Sequence, residues 1–233
     1  MKYLLYFVAT FSLLSFSSAV NDDCETYFPL EKGMKWEYEV FDKNGKLQGY
    51  SSTSVTEVKS IATGAEYNMK VVSDDAKKKE KSHFERDLTY TCEDGVLKMN
   101  LEGLIPSETM KGMESMTIKI DQTEMTIPRT LTVGQALPDA AVRMTAETSG
   151  IQVMDMNIKI TNRKVEKLES VTTGAGTYNC ALVTYTTSTK MSFIDNTMTT
   201  KDWYSSEVGI VKSESYDKNG VLSSSRKLTG FSK

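Results

Sequence analysis

Ser60-Ile61-Ala62-Thr63-Gly64-Ala65-Glu66-Tyr67-Asn68 recurs, with one residue inserted, as Ser170-Val171-Thr172-Thr173-Gly174-Ala175-Gly176-Thr177-Tyr178-Asn179. Downstream of each copy lies a second echo, Tyr90-Thr91-Cys92-Glu93-Asp94-Gly95-Val96-Leu97-Lys98 and Tyr204-Ser205-Ser206-Glu207-Val208-Gly209-Ile210-Val211-Lys212. Landmarks spread along the chain repeat the correspondence. Leu30 and Gly33 match Leu131 and Gly134 at an offset of 101, Gly45 matches Gly150 at 105, Gly64 matches Gly174 at 110, and Gly95 matches Gly209 at 114. The offset climbs steadily, as it does when a second copy gains loop residues a few at a time, whereas chance matches scatter. The expectation is two similar halves, about 29–125 and 126–231, within a single domain over 20–233.

Each half is written in strands. Met34-Lys35-Trp36-Glu37-Tyr38-Glu39-Val40 alternates apolar and charged residues, which puts one face of a strand on a core and the other in water. The same period runs through Tyr67-Met69-Val71, Phe84-Leu88-Tyr90-Cys92, Leu97-Met99-Leu101, Met116-Ile118-Ile120 and Met156-Ile158-Ile160, and the last strand carries Leu222, Ser224, Arg226 and Leu228. Thr, Val, Tyr and Ile are abundant, as strands favour. Asn44-Gly45 and Asn219-Gly220, each after Asp-Lys, predict hairpins with type I′ turns. The best helical candidate follows Pro106, with Ser107 as N-cap and Met110, Met113 and Met116 behind it; Gly112 and β-branched neighbours hold it to one or two turns. The predicted fold is all-β: a single antiparallel, strongly curved sheet or partly closed barrel. A meander of hairpins suits this better than two packed sheets.

The N-terminus reads as a signal peptide over residues 1–19. Lys2 supplies the positive end, Leu4 to Phe16 the apolar stretch, and Ser17-Ser18-Ala19 the cleavage site. The apolar run is too short to cross a bilayer core of roughly 30 Å, and no later stretch is long and apolar enough to do so. The expected mature chain of about 214 residues is exported, has no transmembrane segment, and is ample for one buried core. Lipidation of Cys24 is disfavoured because Asn21-Asp22-Asp23 precede it. Three cysteines in an exported chain suggest one disulfide and one leftover thiol. Cys180, in Tyr178-Asn179-Cys180-Ala181-Leu182, reads as a small buried apolar residue. The expected pair is Cys24 and Cys92.

The formal net charge is −3, too mild to recruit nucleic acid or an anionic membrane. The basic run Lys77-Lys78-Lys79-Glu80-Lys81 reads as a solvated hairpin tip. The single histidine, His83, has no nucleophile motif to serve, clustered metal ligands are missing, and Gly174-Ala175-Gly176 precedes a strand and reads as a turn rather than a phosphate loop. No catalytic residue, metal or cofactor is assigned, and the chain is expected not to be an enzyme. Methionine is the compositional oddity: eight of the 13 fall between Met99 and Met156. They read as core filling, with a pliable apolar cleft as the alternative and a Cu(I) site of thioethers as a remote third.

Several strings point together to one family. Cys24-x-x-Tyr27-Phe28-Pro29, Gly33-Met34-Lys35-Trp36-Glu37-Tyr38, Leu137-Pro138-Asp139-Ala140, Asn162-Arg163-Lys164-Val165-Glu166, Gly176-Thr177-Tyr178-Asn179-Cys180 and Gly209-Ile210-Val211-Lys212 resemble, in this order and spacing, the TapB-like exported proteins of Gram-negative bacteria, which are akin to periplasmic domains of unknown function. The resemblance covers nearly all of the mature chain and implies an exported all-β domain, periplasmic or associated with the outer membrane. Cys24, Cys92 and Cys180 are similar to that family's recurrent cysteine positions, and no catalytic residue carries over. The leading expectation is an envelope protein holding an apolar or amphiphilic ligand, such as a lipid, in its curved sheet. The walls of such a cleft would come from Trp36, Tyr38, Met99, Met116, Ile118, Met156 and Ile158. The alternative is a protein–protein interaction or structural module of the envelope without a small-molecule ligand.

Overall fold

The computed structural model of the protein describes residues 26–76, 83–105, 113, 115–191 and 194–233. The signal peptide, Cys24, the lysine run and most of the helical candidate lie outside them. The strands are β1 (Lys35–Asp42), β2 (Leu47–Ile61), β3 (Gly64–Asp75), β4 (His83–Glu93), β5 (Val96–Met99), β6 (Thr117–Thr123) and β7 (Met125–Pro128). They continue as β8 (Ala140–Thr148), β9 (Ile151–Thr173), β10 (Gly176–Met191), β11 (Ile194–Ser205), β12 (Gly209–Tyr216) and β13 (Leu222–Ser232). The helical content among the described residues is one 3-10 turn, Glu102–Leu104.

All thirteen strands join one antiparallel sheet in the order β6-β8-β9-β10-β11-β12-β13-β1-β2-β3-β4-β5-β7. The first and last strands pair, Lys35 opposite Ser232 and Asp42 opposite Ser224, which sets β1 and β13 side by side in the middle of the sheet. The two outermost strands, β6 and β7, are separated in sequence by Glu124 alone. Consecutive Cα atoms are 3.8 Å apart, so the two ends of the sheet must meet within a residue or two. The sheet therefore curls round on itself as a nearly closed barrel, as the alternation and hairpin spacing predict. Arg163 fastens this seam: Nη1 donates to the Pro138 carbonyl at 2.8 Å and Nη2 to the Thr126 carbonyl of β7 at 2.9 Å.

The turns explain why these strands follow one another so tightly. Asp94-Gly95 and Ser149-Gly150 are both in the left-handed region at both positions, the geometry of a type I′ hairpin. Asn44-Gly45 and Asn219-Gly220 differ from that expectation: only Gly45 and Gly220 have positive φ. The reason is Asp42, whose Oδ1 accepts from the backbone N–H of Asn44 and Lys46, both at 2.9 Å. Asp217 does the same for Asn219 and Val221. An aspartate that satisfies two turn amides favours a type I turn closed by a left-handed glycine.

Equivalent features of the two halves adopt matching geometry. Gly33 N–H donates to Val55 O and Val55 N–H to Met34 O, while Gly134 N–H donates to Val165 O and Val165 N–H to Gln135 O. Next to each of these buried valines the strand bulges by one residue, at Thr56 in β2 and at Glu166 in β9. The two-residue connections Ala62-Thr63 and Gly174-Ala175 correspond, so Gly64 is matched by Gly176, at φ +152° and +140°, and not by Gly174.

Two apolar clusters fill the curl. The larger one gathers Trp36, Val55, Tyr67, Met69, Cys92, Leu97, Ile127, Val165, Cys180, Val183, Tyr204 and Leu228. The second packs Leu101, Ile105 and Met113 onto β8 and β9 through Val142, Met144, Met156, Ile158 and Ile160. Met116, Met125, Met154 and Met191 border it. Six of the eight methionines between Met99 and Met156 thus form or border this second core, where unbranched thioethers fill the space between a sheet face and an irregular segment; Met99 joins the larger one. Of the thioether triplet considered for Cu(I), Met113 is buried and Met116 half-buried, while Met110 lies outside the described residues.

Candidate functional site

Inside the barrel lies a cavity of about 510 Å³, to which every strand except β6 and β8 contributes a wall residue. That volume falls in the range of small-molecule sites. Small hydroxyl residues keep the space open: Ser51 and Thr53 on β2, Ser73 on β3, Ser213 and Ser215 on β12, Ser224 and Ser225 on β13. An apolar part is formed by Leu88, Met99, Leu101, Met125, Ile160 and Met198. Leu104 of the 3-10 turn also lines it yet is 43% exposed, which puts this turn at the entrance. Gly103 fits there because it packs directly on the Leu88 side chain and beside the Arg86 guanidinium.

The polar part is a set of strand residues that point inward where apolar ones would be routine. Asp202, Ser213, Arg226 and Val40 form one continuous row across β11, β12, β13 and β1. Adjacent strands are about 4.8 Å apart, so Asp202 and Arg226 face each other from strands about 10 Å apart with only a serine between them. Asp202 is 3% exposed; its Oδ2 accepts from the Tyr185 hydroxyl at 2.9 Å and the Tyr204 hydroxyl at 3.4 Å. The Arg226 guanidinium lies over the Tyr38 ring, 5.2 Å from its centre. Arg86 enters from β4, opposite Val71. Buried polar atoms without a hydrogen-bond partner include Arg86 Nε and Asp202 Oδ1.

Burial sets the protonation of the tyrosines. It pushes Tyr38 up to about 12, with Arg226 pulling against it. Tyr185 and Tyr204 are raised well above the ordinary phenol value, first by burial and then by the Asp202 charge. Tyr90 is raised by burial, opposed by Arg226 and Arg86. All four phenols therefore keep their protons across the physiological range. Burial lowers Arg86, with Tyr90 opposing and Arg226 adding to the fall, and Arg86 remains cationic because guanidinium starts so high. For Arg226 burial disfavours the charge, but Tyr38, Asp202, Tyr185 and Tyr204 outweigh it and the net shift is upward.

The seven wall residues expected from sequence do not come together. Met99 lines the cavity. Tyr38 supports it from beneath Arg226, its hydroxyl donating to Ile210 O at 3.0 Å. Trp36 belongs to the larger core, with Nε1 donating to Val208 O at 2.6 Å. Met156 and Ile158 are in the second core, with Met116 and Ile118 against it. Among the described residues no group of three or more His, Cys, Asp or Glu side chains could hold a metal. The Cys180 thiol is free and buried, and burial, with Glu169 and Glu207, pushes it up to about 11. Cys92 is fully buried near the end of β4; Cys24 lies outside the described residues, and its pairing with Cys92 is a proposal taken up below.

This fold is shared with solved structures. The profile of the DUF3108-like family matches residues 31–228. The chain belongs to the DUF3108-like family. Among solved structures, a protein assigned as a lipoprotein from Parabacteroides distasonis is 27% identical, with a TM-score of 0.70 over 90% of this chain and 100% of that one. A protein assigned as exported, with a YmcC-like fold, from Bacteroides fragilis is 20% identical, with a TM-score of 0.67 over 88% of this chain and 98% of that one. No curated protein matches the sequence. The matched span, residues 31–228, contains the charged residues of this chain's cavity, Arg86, Asp202 and Arg226.

Proposed function

We propose that this DUF3108-like protein is an exported, non-enzymatic binding protein of the cell envelope, and that its barrel cavity holds an amphiphile. The observation that carries this reading is a 510 Å³ space walled by apolar side chains on one part and by charged and hydroxyl side chains on another. A structural plug would fill such a space; here short serines and threonines stand at inward positions instead. Export is supported by the signal sequence at residues 1–19 and by the assignment of the similar structures as an exported protein and a lipoprotein. The narrower TapB-like kinship belongs to this proposal as well.

Native mass spectrometry of the protein purified from its own envelope tests the reading. The expected spectrum contains a ligand-bound species that exchanges for exogenous amphiphile. A second reading, docking of a protein partner, draws on Ile151 and Val153, which are 67% and 48% exposed beside the Ser149-Gly150 turn. A spectrum showing bare protein or a stoichiometric protein complex, with no small-molecule adduct, would replace the first reading by the second.

A further inference from the structure

We propose that the cavity selects amphiphiles with an oxyanion head, which Arg226 and Arg86 receive while Leu88, Leu101, Met125 and Ile160 face the acyl chain. This deepens the cavity-binding reading and rests on it.

The charged side chains lining the cavity are Arg86, Arg226 and Asp202, an excess of one positive charge. The carboxylate does not cancel either arginine by contact. Its Oδ2 is occupied by two tyrosine hydroxyls, and neither arginine makes an ion pair among the described residues. Arg226 is in contact with an aromatic face rather than an acceptor, and Arg86 Nε has no partner. Both arginines are half-buried, and taking a guanidinium group out of water is costly unless it is paired and hydrogen-bonded; native interiors leave few such donors as Arg86 Nε unmet. The two arginines also feel each other, since the Arg226 charge contributes to the lowering of Arg86. Holding like charges together inside a barrel is costly by itself, and it is relieved by one anion lying between them.

The geometry narrows the anion to a planar or tetrahedral oxyanion. The Arg226 guanidinium lies over the Tyr38 ring rather than against an acceptor, so its N–H groups can make two parallel hydrogen bonds to a carboxylate or phosphate. Ser213 lies directly opposite Arg226, and Ser215 faces Ser224 two residues further along the same pair of strands, so hydroxyl donors line the wall beside the guanidinium. A cationic head would meet two guanidiniums against one carboxylate. A neutral head would leave the positive excess uncompensated. The apolar wall and the entrance at Leu104 then distinguish an acyl chain from a free anion.

The test uses the full mature protein, stripped of endogenous ligand by unfolding and refolding, with displacement of the fluorescent fatty acid cis-parinarate as readout. Palmitate and palmitoyl-lysophosphatidate are expected to compete at least tenfold better than hexadecanol, and inorganic phosphate is expected not to compete. Whichever of the two anionic amphiphiles is tighter assigns the head as carboxylate or phosphate. Arg226→Met is expected to weaken palmitate by roughly tenfold to a hundredfold and hexadecanol by less than about twofold, with Arg86→Met acting in the same direction. Melting curves and near-ultraviolet circular dichroism establish that each variant folds. If a variant does not fold, the comparison of palmitate with hexadecanol on the unaltered protein decides. Equal competition by the two overturns the head-group assignment and leaves the cavity reading standing. Competition by phosphate alone overturns the acyl-chain assignment. No binding of any amphiphile removes the cavity reading and this inference together.

Discussion

Tyr38 ties the cavity to the stability of the barrel. Its ring lies beneath Arg226, its hydroxyl donates to Ile210 O, and burial raises its ionisation to about 12 from an ordinary 10.0. The folded state thus holds this proton where the unfolded chain releases it. Stability from a raised group is complete below pH 10 and is lost as pH rises toward 12, because there the unfolded chain binds fewer protons. Tyr38 alone accounts for on the order of 2 kcal/mol of that loss, and Tyr185 and Tyr204 act in the same direction. Denaturant midpoints followed from pH 9 to pH 12 should fall steeply in the unaltered protein. Tyr38→Phe should cost about 1 kcal/mol at pH 7 for the lost hydrogen bond and then fall less steeply. Parallel curves for the two would show that Tyr38 ionises in the folded state as readily as in water. At this same scale, the buried, free Cys180 was legible from its apolar neighbours, whereas the cavity was not. Arg86 sits in phase with Phe84, Leu88, Tyr90 and Cys92, and Arg226 in phase with Leu222 and Leu228. A charged residue on the inward phase of a strand is the signal that marks both, and an apolar pattern read by its majority passes over it.

β9 shows how one strand is bent to serve two cores. Its far portion carries Met156, Ile158 and Ile160 into the second cluster, and Val165 enters the first. Between them Thr186 pairs with Thr161 and Thr184 with Lys164, so two residues of β9 stand opposite Tyr185. Asn162 takes φ +56° at this bulge, and the extra residue turns Arg163 inward, where it is 3% exposed and clasps the barrel seam. Asparagine tolerates the left-handed region and β-branched residues do not. Asn162→Gly should therefore stay within about 0.5 kcal/mol of the unaltered protein in chemical denaturation, while Asn162→Val should lose about 1–2 kcal/mol or more. A valine variant as stable as the glycine variant would mean that the bulge can be ironed out and that Arg163 needs no such turn. The strands themselves were readable because period-2 alternation survives wherever one face meets water. The bulge was not, since Asn162-Arg163 within a polar stretch looks like ordinary surface. The type I turns at Asp42 and Asp217 were misread as type I′ for a comparable reason: Asn-Gly gives the preference of the pair, and the aspartate two residues earlier decides the outcome.

At the scale of the whole molecule, the two halves share left-handed glycines, a bulge beside a buried valine and the same pair of backbone hydrogen bonds on that valine. These matches support the proposal of a tandem duplication, with the offset rising from 101 at Gly33 through 105 at Gly45, 110 at Val55 and 112 at Gly64 to 114 at Gly95 once Gly64 is aligned to Gly176. The cysteines stand outside this pattern, since Cys92 falls opposite Ser206 and no cysteine of the first half matches Cys180. A bridge that is not part of the repeated plan has a different task, and the task proposed for Cys24 and Cys92 is to moor the N-terminal segment to the sheet. Cys92 is fully buried on β4, in the larger core beside Leu97. A bridge to Cys24 would close a loop of roughly 70 residues, and loop-closure entropy assigns it about 4 kcal/mol, within the span of about 2–5 kcal/mol typical for loss of a native bridge. The double variant Cys24→Ala, Cys92→Ala should melt in one transition at lower denaturant, because a single continuous sheet leaves no half able to stand alone. Non-reducing peptide mapping of the unaltered protein should recover residues 24 and 92 in one linked peptide, with Cys180 alkylated only after unfolding, as its raised thiol and burial dictate. Recovery of Cys180 in the linked peptide would reject the pairing, and unchanged stability of the double variant would reject the mooring role.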